Sequence, residues 1–280
     1  MKDSYAVTAL LLLAGAAGAE AQRSTPADPS GLVRVVAVSG EVTVRDGTSA
    51  EVRVIDRDGD SRRDIDLERR NGEVHIRVHD DRDVEVVVPR QSRVDVLTRE
   101  GDIQVFGIRG TLYAETLSGD IMVEGALTSV NIESISGDIL VDGTTPNIRV
   151  STVSGDVRID RATGAIKAST TSGDLDITAA DAASCELANT SGDVMFSGTL
   201  AADAVLDVTN SSGDVILELP DDIDADFDID SMNGEIRNDL GPGPTRNRWT
   251  GGESLRFTNG RGGARIVVRN VGGEIMLEVR

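Results

Sequence analysis

A glycine followed by an acidic residue returns at Gly101, Gly119, Gly137, Gly155 and Gly173 with a strict period of 18 residues. The interval then widens to 19 at Gly192 and to 21 at Gly213 and Gly234. From the second beat to the seventh the word is Ser-Gly-Asp, with Asp120, Asp138, Asp156, Asp174, Asp193 and Asp214 as its acids, and Asn233-Gly234-Glu235 closes the series. A fixed period near 20 residues marks a repeat architecture, in which each unit buries its apolar side only against its neighbours. The expectation is an all-β chain built as a β-solenoid.

Aligned on the glycine, each unit is apolar two and four residues later: Ile121 and Val123, Ile139 and Val141, Val157 and Ile159, Leu175 and Ile177, Val194 and Phe196, Val215 and Leu217. Polar residues separate them, so this is a strand of period two with one buried face. A second short strand follows near Val130 and Ile132, Ile148 and Val150, Ile166 and Ala168. The glycine suits a sharp bend that needs positive φ. The flanking Ser and Asp can bond the local backbone of that turn. Two residues before the glycine, Leu117, Ile135 and Val153 give way to Thr171, Thr190 and Ser211, which predicts less tightly filled later coils. One position earlier, Thr116, Ser134, Thr152, Thr170, Asn189 and Asn210 form a polar column able to bond to the next coil.

The remainder divides around this array. Residues 1–21 read as a secretory signal peptide, with Lys2 as the basic start, Ala6 to Ala17 as the apolar stretch and Ala19-Glu20-Ala21 as the cleavage site before Gln22. The rival reading is an uncleaved N-terminal anchor. Residues 22–31, with Pro26 and Pro29, read as a disordered lead. Residues 32–100 alternate in strands of irregular length, either the first, wider coils or a sandwich-like β module. Residues 101–240 hold the regular repeats. Residues 241–280 hold a turn-rich loop and then Ala264 to Val279, expected to make the last coil and shield the open end.

Charge follows these boundaries. From Thr111 to Leu240 there are 25 acids against five bases, whereas residues 241–280 carry seven Arg against three Glu. Such a field disfavours nucleic acid and favours cations or basic proteins as partners. Like charges stacked at about 4.8 Å repel by roughly 0.9 kcal/mol per pair in water. Weak Ca2+ binding by the Asp ladder is therefore one reading, and Asp as a turn cap is the other. The alternation of Asp222, Asp224, Asp226, Asp228 and Asp230 with Ile223, Ala225, Phe227 and Ile229 puts five carboxylates on one strand face, read as solvated.

No constellation for catalysis and no cofactor motif is apparent. His75 and His79 would share a strand face about 13 Å apart, too far for a common metal. Cys185, the single cysteine, reads as a small core filler. Acidic calcium sites on a β-helix would also suit a carbohydrate-active enzyme, yet sugar clefts use stacking aromatics, and Tyr113 and Trp249 are among very few here.

The series of Ser-Gly-Asp turns, the Val86-Val87-Val88-Pro89-Arg90 run leading to Val94-Asp95-Val96 and Gly101-Asp102, the Leu219-Pro220 step and the terminal Gly272-Gly273 coil resemble the family called domain of unknown function 4097, an adhesin-like repeat domain of bacterial envelope and exported proteins. The resemblance covers about residues 32–280. It implies a right-handed β-solenoid and an extracytoplasmic setting, periplasmic, cell-surface or released, and it carries over no catalytic residue. The expected function is a non-enzymatic exported scaffold or adhesin-like module that meets an envelope protein or surface ligand. The alternatives are a calcium-assisted carbohydrate-active enzyme and an envelope-stress sensor acting through a membrane partner.

Overall fold

Strands that alternate Val, Ile or Leu with polar residues each gain one face to bury, and none can bury it alone. The computed structural model describes residues 21–57, 64–246 and 251–280, and every regular element in them is a β-strand. The predicted signal peptide lies outside the described residues except for Ala21, and Trp249 lies outside them too. Among the described residues no helix is long and apolar enough to cross a membrane. The chain divides into two compact units, Met1–Ala126 and Leu127–Arg280, so the boundary expected after residue 100 falls inside the first unit.

The first unit contains β1 Ala21–Pro26, β2 Leu32–Ser39, β3 Val42–Gly47, β4 Glu51–Asp56, β5 Ile65–Arg70, β6 Glu73–Asp81, β7 Val84–Pro89, β8 Arg93–Leu97, β9 Ile103–Phe106, β10 Thr111–Ser118 and β11 Ile121–Glu124. They form two parallel columns. One runs β6–β2–β8–β10, with Val33 beside both Val74 and Val94 and Leu112 beside Val94. The other runs β7–β3–β9–β11, with Val42 beside both Val84 and Ile103, and Ile121 beside Ile103. The irregular region is thus made of parallel repeats like the rest, but out of sequence order, since β2 and β3 insert between β6–β7 and β8–β9. Antiparallel strands close the outer edge, β5 on β6 through the two-residue turn Asn71-Gly72 (φ 53° and 88°), β4 on β7, and β1 on β4. Residues 22–31, expected to be disordered, therefore hold an edge strand. Its backbone pairing with β4, not apolar burial, holds it in place.

The second unit contains β12 Ser129–Ser136, β13 Ile139–Asp142, β14 Asn147–Ser151, β15 Val157–Ser172, β16 Leu175–Ser191, β17 Val194–Ser212, β18 Val215–Leu219, β19 Ala225–Ser231, β20 Ile236–Asn238, β21 Thr245–Arg246, β22 Glu253–Asn259, β23 Ala264–Gly272 and β24 Ile275–Val279. Residues one period apart pair in parallel, as in Val141 with Ile159 and Ile148 with Ile166. In β15, β16 and β17 the bend between the two short strands also pairs, through Ala162, Ala179 and Gly198, so each runs on as one long, irregular strand.

The C-terminal repeat is not the outermost layer. β23 lies between β17 and β19, and β24 between β18 and β20. The Asp-rich β19 forms the outer parallel layer, and β22 pairs antiparallel along it, with the short β21 on β22. The expected shielding of the open end is thus supplied by β22 and β21 rather than by residues 264–279.

The cores are aliphatic, as composition requires. Val35, Val44, Val86 and Ile103 are fully buried in the first unit, and Ile159, Ile177, Phe196, Leu206 and Leu217 in the second. Leu117, Ile135 and Val153, expected to taper the core, are instead 45%, 52% and 49% exposed. The strand's parity buries the residue before each of them, so Thr116, Ser134 and Thr152 point inward and the apolar residue outward.

Candidate functional site

The Ser-Gly-Asp turns stack, and they do so by close backbone approach. At Gly173, φ is 136° and an added Cβ would lie 2.2 Å from the carbonyl oxygen of Gly155. Gly101 lacks the left-handed φ expected of it, and space is what selects glycine there, because a Cβ would lie 2.1 Å from the Gly40 oxygen. Gly119 stacks on Gly101, and the turns of Gly137, Gly155, Gly173, Gly192 and Gly213 follow one another in the second unit, up to Gly273. Gly234 lies against Gly273, since the C-terminal repeat has inserted ahead of it.

The aspartates bind between repeats rather than within a turn. Asp120 donates its main-chain N–H to Asp102 Oδ1 at 2.9 Å in the first unit. In the second, Asp138, Asp156, Asp174, Asp193 and Asp214 each accept, through Oδ1, the N–H of the acid one layer on, at 2.7–2.8 Å. The last donor is Glu274. A charge-assisted bond of this kind offsets the repulsion between stacked carboxylates. No group of three or more His, Cys, Asp or Glu placed to hold a metal ion occurs among the described residues.

Beneath the turns the polar column is buried. Thr98 Oγ1 donates to Thr116 Oγ1 at 2.9 Å, while Ser134 and Thr152 bond the carbonyls two residues ahead of them. Thr170, Asn189, Asn210 and Asn270 reach back one layer, to the carbonyls of Gly155, Gly173, Gly192 and Gly213 respectively. The groups that reach the glycine carbonyls satisfy acceptors that the sharp bend leaves without main-chain partners, whereas the Ser154 carbonyl bonded by Thr152 also accepts the N–H of Gly137. Hydroxyls mostly serve their own turn, and the longer amides span to the next.

The Asp-rich face of β19 is ion-paired from both sides. Asp228 accepts from Arg269 Nη2 at 2.9 Å and Arg256 Nε at 2.8 Å, and Asp230 lies 3.4 Å from Arg269 and 3.3 Å from Arg256. Hydrogen bonding from Arg269 holds the Asp228 carboxyl below the usual carboxylate range. Asp224 is lowered by the main-chain N–H of Arg261, and Asp226 accepts from Thr258 Oγ1. Arginines of the C-terminal segment thus pair with Asp224, Asp228 and Asp230, while Asp222, Asp224 and Asp226 remain exposed on the face that reads as solvated.

Residues considered for catalysis are separated. His79 bonds Asp66 at 2.8 Å, and His75 lies 3.5 Å from Glu73. Cys185 is 1% exposed, and burial pushes its thiol far above the ordinary range.

Among the described residues, a groove crosses the outward faces of the strands in each unit. In the first unit, register aligns His75, Arg34, Asp95 and Tyr113 in one row across β6, β2, β8 and β10, and Arg77, Val36, Leu97 and Glu115 in the next. Together they line a groove of about 620 Å3. Arg34 donates to Asp95 at 2.9 Å and Tyr113 Oη to Glu115 at 2.8 Å. Arg77 is exposed and makes no ion pair among the described residues. In the second unit, Asn131, Asn147, Arg149, Lys167 and Glu186 line a groove of about 450 Å3, with Lys167 paired to Glu186. Of these groove residues only Tyr113, His75 and, within the Val94-Asp95-Val96 motif, Asp95 are singled out from sequence. The rest sit on outward positions of strands whose spatial order differs from their chain order.

The sequence model of the family described as Toastrack DUF4097 matches residues 41–278. No curated protein sequence matches the chain. Among solved structures, a candidate adhesin from Bacteroides fragilis is 11% identical, with 92% of this chain and 96% of that one covered and a TM-score of 0.48. A candidate adhesin from Parabacteroides distasonis is 8% identical, with coverages of 93% and 97% and a TM-score of 0.39. A candidate cell adhesion protein from Clostridium sporogenes is 8% identical, with coverages of 93% and 100% and a TM-score of 0.24.

Proposed function

The chain belongs to the Toastrack DUF4097 family, and from that premise we propose that it is a non-enzymatic, adhesin-like binding scaffold of the bacterial envelope, each unit wound as a right-handed β-solenoid. The observation that carries this reading is the division of labour in each repeat. The Gly, Asp and buried Thr or Asn residues are spent on holding layer to layer, while the outward strand positions form in-register rows of variable side chains. Such rows present a broad, rigid surface at a fixed spacing of about 4.8 Å, which suits recognition of an extended partner. Export follows from the signal-peptide pattern at residues 1–21. It is tested by the intact mass of the protein recovered outside the cytoplasm, which should begin at Gln22.

The binding role is tested by cosedimentation of the purified protein with intact cell envelopes. The wild type should be retained, and charge reversal on the outward faces, Arg77→Glu in the first unit or Arg149→Glu in the second, should reduce retention. Retention that neither substitution alters, or none at all, would count against the proposal.

A further inference from the structure

The groove on the first unit is more specific than a general docking face. Its volume of about 620 Å3 lies in the range of small-ligand sites, roughly 300–1,000 Å3. It crosses four parallel strands, about 14 Å from the first to the last. β2 and β8 are paired on both sides, so a ligand there meets side chains and no open backbone edge. A peptide that binds by strand addition needs such an edge. The side chains divide into three parts. Val36, 38% exposed, adjoins Leu97 in one row, and the half-buried Tyr113 stands on β10 on the far side of Leu97's strand, so the apolar surface is discontinuous. Arg77 and His75 make a donor end: Arg77 stands opposite Asp66 of β5 but forms no ion pair among the described residues, while Arg34 is held by Asp95. Asp95, held by Arg34 on the inner strand β8, and Glu115 on β10 supply the acceptors.

We propose that this groove binds an acidic oligosaccharide, with a uronic acid carboxylate on Arg77 beside His75 and the apolar face of a sugar ring on Tyr113 and Leu97 of the adjoining strand. The proposal rests on the reading of the protein as a binding scaffold and names what this face of it recognises. An arginine fork supplies bidentate, charge-assisted bonds to a carboxylate. A tyrosine ring offers a rigid surface for the C–H face of a pyranose. Asp95 and Glu115 can accept from sugar hydroxyls. Nucleic acid shares the anionic character, but its phosphates are neutralised by several basic side chains together, and this groove holds only Arg34 and Arg77, with Arg34 already engaged by Asp95. A simple inorganic anion would use Arg77 and leave Tyr113 without a role.

The test is isothermal titration of the purified protein with trigalacturonate, with its methyl ester and with sulfate at matched ionic strength. The wild type should bind trigalacturonate, the methyl ester should bind at least about tenfold more weakly, and sulfate should not compete at equal concentration. Tyr113→Ala and Arg77→Gln should each weaken binding by about tenfold, while Tyr113→Phe, which keeps the ring, should bind as the wild type does. Unchanged far-ultraviolet circular dichroism and thermal midpoint would exclude misfolding as the cause. Absent binding, equal binding of the ester, or indifference to both Tyr113→Ala and Arg77→Gln would overturn the proposal. Envelope retention that persists in the wild type and falls with Arg77→Glu, in a protein that does not bind trigalacturonate, would retire the ligand class and leave the scaffold reading standing.

Discussion

Asp174 Oδ1 accepts the main-chain N–H of Asp193, one layer on, at 2.7 Å. The acid is therefore an acceptor between repeats, and its charge both strengthens that bond and repels the carboxylates above and below it. Asp174→Asn keeps the acceptor and removes one member of a column of like charges, so its denaturant midpoint should equal or exceed that of the wild type. Asp174→Ala leaves the Asp193 amide to water and should cost about 1 kcal/mol. If the Asn variant falls as far as the Ala variant, the charge itself is what the column requires.

Glycines in the turns differ from glycines elsewhere by what lies above them. Gly173→Ala places a methyl 2.2 Å from the Gly155 oxygen at a φ of 136°, and the backbone atom it meets has no rotamer to escape into. The expected loss is about 2 kcal/mol or more in urea unfolding. Gly72→Ala at φ 88°, with nothing within 4 Å of the added carbon, should lose only about 1 kcal/mol. Equal losses at the two sites would show that φ, and not the stack, sets the cost.

Because β23 and β24 lie inside the outer layer, deleting residues 264–280 removes the parallel partners of both β19 and β20. The truncated chain should lose order back to β18, so that limited proteolysis cuts within residues 220–259. A truncation that leaves 220–259 as protected as in the full chain would mean that β19 and β22 hold together without the inserted repeat.

That insertion also marks where sequence ceased to be a guide. The repeat length, the buried pairs such as Ile139 and Val141, and the outward alternation of Asp222 to Asp230 are local properties of period two, so they can be read from the chain. The placement of β2 beside both β6 and β8, and of β23 beside both β17 and β19, depends on pairing between distant segments with equivalent patterns. The groove of Arg34, His75, Arg77 and Tyr113 inherits that difficulty. Its residues become neighbours only once the strand order is known. The inversion at Thr116 and Leu117 has another origin, since the inward hydroxyl gains hydrogen bonds along its column and to a turn carbonyl, Thr98 to Thr116 and Thr116 to Ser118, and hydrophobicity carries no sign of them.

Stability should fall in acid through the Asp-rich face. The Asp228 carboxyl is lowered in the folded state by hydrogen bonds from Arg269, so it contributes stability above the unfolded carboxylate pKa, about 3.9, and that contribution disappears as pH drops through the lower folded value. Asp66, lowered by its hydrogen bond to His79, adds to the same acid limb in the first unit. In Arg269→Gln, urea midpoints measured from neutral pH downward should start lower and decline less steeply below pH ~4. A parallel decline in both proteins would exclude the Arg269–Asp228 pair as a source of the acid limb.

Calcium should leave the thermal midpoint no higher than magnesium does. Asp138, Asp156, Asp174, Asp193 and Asp214 already bind main-chain amides, and Asp228 and Asp230 already share two arginines. To coordinate Ca2+ with six to eight oxygens, neighbouring carboxylates would have to abandon those bonds together. A site filled to a hundred times its dissociation constant would add about 2.7 kcal/mol, which a thermal melt resolves easily. Comparing melts in chelator, millimolar Mg2+ and millimolar Ca2+ therefore decides the matter. A rise specific to Ca2+ that survives Arg269→Gln but is lost in Asp174→Asn would locate the site on the turn column. A rise that appears only in Arg269→Gln would instead show that the arginines occupy the place a cation would take on the Asp-rich face.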